Sequence, residues 1–366
     1  MTQLLTTSSP DAAPRRTSRN PFANLMATVK QEGLFARSYA YYWTLLITLT
    51  LVGAGLLTLS ALIGDSWWQI AIAVGIALVM TQFGFLGHDA AHRQIFTSAR
   101  WSDGVALVVA NLFVGLGISW WKKKHTRHHG GPNKMGVDSD IDNGVVAFTP
   151  SDEQTRLGRW MRRRQVWFFF PIVSLVGLQM DVNSFKHLFA RGEVKNRWLE
   201  LALLTIHHAG MTIFAFWAMS PAIAITFLVV HKLVFGFYLG MVFATNHIGR
   251  PTVGPDVKID FLRRQVLMSR NISGGPVVSF LMGGLNHQIE HHLFPSMSRP
   301  NLARVVPIVK DFCREQGIDY HATTLWQGYV EVARHIDEVG HGDIDMFECP
   351  IAAAMAPANH PSLMRA

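Results

Sequence analysis

Cysteine is almost missing from this 366-residue chain: only Cys313 and Cys349 occur, far apart and outside the long apolar runs. That excludes a disulfide framework and a cysteine-ligated zinc as organising devices, and makes a reducing compartment the expected setting. Charge is scarce too, at 16% of residues against 49% apolar, and the apolar residues are gathered in long blocks. Such a chain reads as a membrane protein. No apolar run precedes residue 41, so no secretory signal is visible. The first stretch is rich in Ser, Thr, Pro and Arg, with Asp11 its only acid up to residue 20, and residues 1–36 are expected to form a disordered cytoplasmic tail. The net charge of +8 invites a nucleic-acid reading, but the basic residues make no compact domain with interleaved aromatics, and no nucleic-acid partner is expected.

What is present in quantity is membrane-spanning sequence. Runs at about 41–63, 67–87, 198–219 and 222–245 are nearly uncharged and match the roughly 20 helical residues that cross a bilayer core. Short turns, Gly64-Asp65-Ser66 and Ser220-Pro221, join them into two helical hairpins. Shorter apolar stretches at about 104–118 and 166–180 suit interfacial or re-entrant helices. Roughly half of the 33 Lys and Arg residues lie between Arg93 and Arg197, and none lies in the hairpin turns. By the positive-inside rule that loop and both termini face the cytoplasm, with the cell membrane as the expected location. The expected fold is an all-α integral membrane protein: four transmembrane helices in two hairpins under a cytoplasmic helical cap, spanning residues 37–345. Amphipathic helices are expected over 301–316 and 324–339, stopped by Gly317 and Gly340, ahead of a disordered tail at 346–366.

Three histidine clusters stand beside these runs. His125, His128 and His129 sit at i, i+3 and i+4, one face of a helix, and His88 and His92 are an i, i+4 pair. Gln288, His291 and His292 repeat the first spacing with glutamine leading. Seven histidines are too many for one closed tetrahedral site and suggest two ions, whose identity spacing alone does not give. Asp89 and Glu290, inside the clusters but on other faces, are expected to support the ligands from behind. His207, His208 and His231-Lys232 fall at mid-membrane, where interhelical polar contact is the expected role and lining the inner end of a tunnel the alternative. Lys122, Lys123 and Lys124 read as a charge run that could also grip an anionic headgroup. His187, His321, His335, His341 and His360 lack ligand spacing and are expected at the surface.

The segments His88-Asp-Ala-Ala-His92, His125-Thr-Arg-His128-His129 and His287-Gln-Ile-Glu-His291-His292, set around two hairpins, resemble the three histidine boxes of membrane fatty acid desaturases. Gly283 to Pro295, with glutamine opening the third box, is most similar to the front-end and linoleoyl-type branch. The resemblance implies two non-haem irons and O2 as co-substrate. Its ligands would be His88, His92, His125, His128, His129, His291 and His292, with His247 after the last span as an eighth. It leaves Gln288, Asn246 and His287 as either ligands or donors behind them; His287, four residues before His291, could compete for the metal. The implied reaction places a cis double bond in a long-chain acyl-CoA or acyl-lipid within the membrane. Many front-end relatives carry a fused cytochrome b5 with a His-Pro-Gly-Gly motif; this chain has none, which implies a separate donor such as a ferredoxin with its reductase. A hydroxylase or ketolase on the same scaffold is the nearest rival, and a membrane metal transporter a distant one.

Overall fold

Gln69 makes the first corner of the fold. Its amide donates to the carbonyls of Ser60 (2.8 Å) and Gly64 (2.9 Å) and accepts from the Ser60 hydroxyl (2.7 Å), closing the turn between α2 (Tyr39–Ile63) and α3 (Gln69–Ala91). The computed structural model describes residues 20–141, 146–149 and 155–342. Ahead of α2 lies α1 (Pro21–Gln31), capped by the Asn20 side chain.

After α3 the chain runs through α4 (Ala99–Val108), a π-helical stretch Val109–Val114, and α5 (Ile118–Gly130), which departs at 112° from the preceding helix. It continues through α6 (Arg156–Arg162), α7 (Gln165–Val173) and α8 (Val176–Phe189), the last two bent by 64°. The second hairpin is α9 (Arg197–Ala218) and α10 (Pro221–His247). Asp65 in the first hairpin turn accepts from the Ser220 amide in the second (2.7 Å), so the two turns are tied together. Beyond α10 come α11 (Phe261–Leu267), β1 (Asn271–Ser273), α12 (Gly275–Leu281), α13 (Gln288–Leu293), α14 (Arg299–Glu315), β2 (Ala322–Thr324) and α15 (Leu325–His341).

Among the described residues four helices, α2, α3, α9 and α10, are long and apolar enough to cross a membrane, and the bent pairs would add two more if each were one span. α3 and α10 are the inner pair, packed along each other, whereas α2 and α9 turn most of their surface outward. Exposed Leu62, Trp198, Ile213 and Trp217 on that outer surface suit contact with lipid.

The structure corrects the sequence reading in three places. The expected tail 1–36 is helical over Pro21–Gln31: Leu25 and Val29 are buried against α11, α13 and α14 in a core with Val266, Ile289 and Val305. Residues 1–19 and the expected tail 346–366 lie outside the described residues. The chain is not strictly all-α, because β1 and β2 pair in parallel. Gly340 does not stop the last helix, which runs to His341 and ends at left-handed Gly342. A Cβ on Gly340 would lie 2.4 Å from the Arg162 carbonyl oxygen, so glycine is needed there for close packing.

Candidate metal centre

Each histidine cluster ends an element or starts one. His88 lies in the last turn of α3 and His92 is its C-cap, after which Arg93 turns left-handed at φ +58°. His125, His128 and His129 follow one another on α5, and His247 is the last residue of α10. His291 and His292 sit on the short α13, whose start is fixed from outside: the Asn271 side chain accepts from the Ile289 amide (2.9 Å) and donates to Glu290 (2.7 Å).

All eight predicted histidines converge. The candidate ligand atoms of His88, His92, His125 and His291 lie within 4.8 Å of one another, and so do those of His128, His247 and His292. His129 stands between the groups: its Nε2 is 3.0 Å from that of His125 and 3.1 Å from that of His291, and its ring stacks on His292 at 4.2 Å. The Nε2 atoms of His92 and His125 are 2.8 Å apart, and those of His128 and His247 are 3.2 Å apart.

The tautomers are set from behind. Nδ1 donates to the Asp89 carboxylate in His88 (3.2 Å), to Asp138 in His128 (2.9 Å), to the Met268 carbonyl in His247 (2.8 Å) and to the Gln265 side-chain oxygen in His292 (2.9 Å). With the proton held on Nδ1, each Nε2 lone pair faces the centre. Burial, and then the proximity of the other histidines, pushes His92, His125, His129, His291 and His292 well below the usual imidazole pKa, so these rings are neutral. For His128 burial acts in the same direction, but the Asp138 carboxylate and its hydrogen bond outweigh it and raise the pKa. Lone pairs aimed at one another across such distances repel unless a cation lies between them. His88 Nε2 and His292 Nε2 are moreover buried without a partner among the described residues. This donor set fits divalent first-row transition metals, in two adjacent positions.

The uncertain candidates separate. Gln288 donates from Nε2 to His247 Nε2 (2.9 Å) and so reaches the second group, whereas Asn246 stands behind it, donating to the Gln288 side-chain oxygen (3.1 Å). His287 does not reach either one. It is the N-cap of α13 rather than a residue of its face, and its Nε2 lies near Ser279 (3.4 Å) and Asn286 (3.3 Å), so its spacing to His291 does not align the two rings. Glu290 supports no histidine; its carboxylate accepts from Asn271 and Tyr320 (2.7 Å) instead. Asp89 does support one and is itself held by buried Arg299 (2.7 Å). Gln265 and the Met268 carbonyl were not legible as site residues, because nothing local to them carries ligand spacing. Lys122 and Lys124 pair with Asp103 and Asp140, leaving Lys123 exposed. His335 is half-buried rather than a surface residue, bonded to the Phe148 carbonyl (3.1 Å).

At mid-membrane the contacts are interhelical: His207 Nδ1 donates to the Leu112 carbonyl (2.8 Å) and Lys232 pairs with Asp181 (2.8 Å). A narrow cavity lies between these contacts and the histidines, walled by α3, the π-helical stretch, α5, α8 and α10. Phe85, Val114, Ile118 and Leu239 line it, with His88 and Trp121 at the histidine end.

The family model for fatty acid desaturases matches residues 65–324, which take in every histidine of the centre. The chain belongs to the fatty acid desaturase family. Among the desaturases it resembles, the Acyl-lipid (9-3)-desaturase of Physcomitrium patens is 28% identical, over 87% of this chain and 62% of the relative. The Delta(6)-fatty-acid desaturase of Caenorhabditis elegans is 27% identical, over 72% and 62%. The Delta(8)-fatty-acid desaturase of Euglena gracilis is 30% identical, over 89% and 80%. The chain thus spans under two thirds of the length of the first two of these desaturases.

Proposed function

We propose that this chain is an O2-dependent acyl desaturase that introduces a cis double bond into a long-chain acyl-CoA or acyl-lipid. The observation that carries the proposal is the convergence of eight histidines at one end of an apolar cavity, in a chain of the desaturase family. Two non-haem irons fit the donor set: His88, His92, His125 and His291 would hold one, His128, His247 and His292 the other, with His129 between them and Gln288 beside the second. Once bound, the irons supply the redox chemistry with O2 that removing hydrogens from an unactivated methylene pair requires, which side-chain acids and bases cannot.

The protein's own contribution is positional. Asp89, Asp138, Gln265 and the Met268 carbonyl fix the imidazoles, so the centre is built before substrate arrives. The apolar walls exclude water and hold one pair of carbons nearest to it, which decides where the double bond falls. The histidines share a side with the basic residues of α5 and α6, which supports a cytoplasmic centre in the cell membrane and docking of an acidic donor, such as a ferredoxin served by its reductase. The family's Delta(6) and Delta(8) members favour a front-end position.

The test is the fatty-acid methyl ester profile, with double bonds located by mass spectrometry, of cells expressing the chain beside a His128→Ala control. New unsaturated acids absent from the control are expected. Hydroxy acids in their place would move the reading to a hydroxylase on this scaffold, and an unchanged profile with iron-loaded protein and a working donor would overturn it.

A further inference from the structure

The far end of the cavity is built from an unusual piece of backbone. Depth runs away from the histidines: Leu239 lies about two turns before His247 and Gly84 about one turn before His88. At that depth the cavity is walled by Val114 and Leu116, on either side of Gly115, where the π-helical stretch ends in a left-handed turn at φ +75°. The turn cannot hold itself. Carbonyls in the last turn of a helix lose their partners, and in a bilayer no water replaces them. Leu116 donates its amide to Ala110 (2.8 Å), which leaves the Leu112 carbonyl to His207 Nδ1 (2.8 Å).

His207 also presses on the turn from behind. A Cβ on Gly115 would lie 2.4 Å from His207 Cδ2 and 2.6 Å from Nε2, so the edge of the ring rests against the glycine backbone. His208 also touches Gly115, its ring carbon 3.1 Å from where a Cβ would stand, but it is His207 that both bonds the Leu112 carbonyl and presses closest on the turn, filling most of the space into which it could retreat.

We propose that His207 is a positioning residue for substrate length: from behind Gly115 it holds Val114 and Leu116 as the closed end of the acyl cavity. The inference rests on the desaturase reading above. Loss of His207 frees the Leu112 carbonyl and opens room behind the turn, and the cavity deepens into it.

The test feeds a graded series of saturated and unsaturated acids to cells expressing the wild type, His207→Ala, His207→Leu or His207→Asn, and reads products by chain length together with bound iron. In His207→Ala the ratio of product from the next longer even-numbered chain to that from the preferred one rises roughly tenfold, the worth of accommodating two more methylenes. His207→Leu keeps apolar bulk but has no donor, and shifts in the same direction; it carries the test if the alanine variant does not accumulate. His207→Asn places an amide donor near the position of Nδ1 without the ring's bulk, and falls between the wild type and His207→Ala. Iron-loaded variants whose turnover falls equally for every chain length would overturn the proposal and leave the desaturase reading standing. A wild type that makes no unsaturated acid would overturn both.

Discussion

Asp138 offers a sharp test of how the centre is held. Its carboxylate is fully buried and every contact it makes is local: one oxygen accepts from His128 Nδ1 and from the Asn133 amide (both 2.9 Å), the other from the Asp140 amide (3.0 Å). Burial opposes its charge, but His128, its hydrogen bond and the two amides outweigh that and hold the acid far below the usual carboxylate range. In Asp138→Asn the amide must turn its NH2 toward one set of donors. Turning it toward Asp140 sacrifices one bond rather than two, so the His128 contact persists but loses its charge. A charge-assisted bond is worth about 1.5–3 kcal/mol against roughly 1 for a neutral one, and supports behind metal ligands typically carry 10- to 100-fold in affinity. The expected result is a drop of about tenfold in affinity at the group of His128, His247 and His292, with the group of His88 little changed. Iron retention against a graded chelator measures this, as one metal leaving early and one late. Wild-type retention in Asp138→Asn, or parallel loss of both metals, would refute the reasoning.

Arg270→Met should destabilise the protein by about 1–3 kcal/mol for each carbonyl it leaves unsatisfied, since the buried guanidinium donates to the Thr245 and Ile248 carbonyls around His247, while its partner Glu331 keeps His321; the denaturation midpoint checks this. Gly340→Ala should cost about 1–3 kcal/mol, because its methyl would strike the Arg162 carbonyl oxygen, and thermal unfolding with unchanged product identity is the expected pattern. Stripping the metals should lower the unfolding temperature reversibly, because binding stabilises the folded state by about 2.7 kcal/mol at a metal concentration of 100 times Kd; re-addition of ferrous iron should restore it.

Much of this was legible in the sequence because it is local. A span needs only a run of apolar residues, and the spacing in His125-Thr-Arg-His128-His129 selects one helix face without help from the rest of the chain. Even the ligand-to-be His247 could be found only by resemblance, since it stands alone at the end of α10. What was illegible is what distant chain supplies. Gln265 and Met268 reach the histidines only through the fold, and α1 is a short helix whose burial depends on α13 and α14. His287 shows the opposite failure: an i, i+4 spacing holds only if the helix extends that far back, and α13 begins one residue later.

The most direct test of the account is metal analysis of the purified protein by mass spectrometry with Mössbauer spectroscopy. Two irons per chain in nitrogen-rich sites, with iron lost on His292→Ala, is the predicted result, one for each group of converging histidines. A single bound ion, or zinc filling both positions in active enzyme, would contradict it.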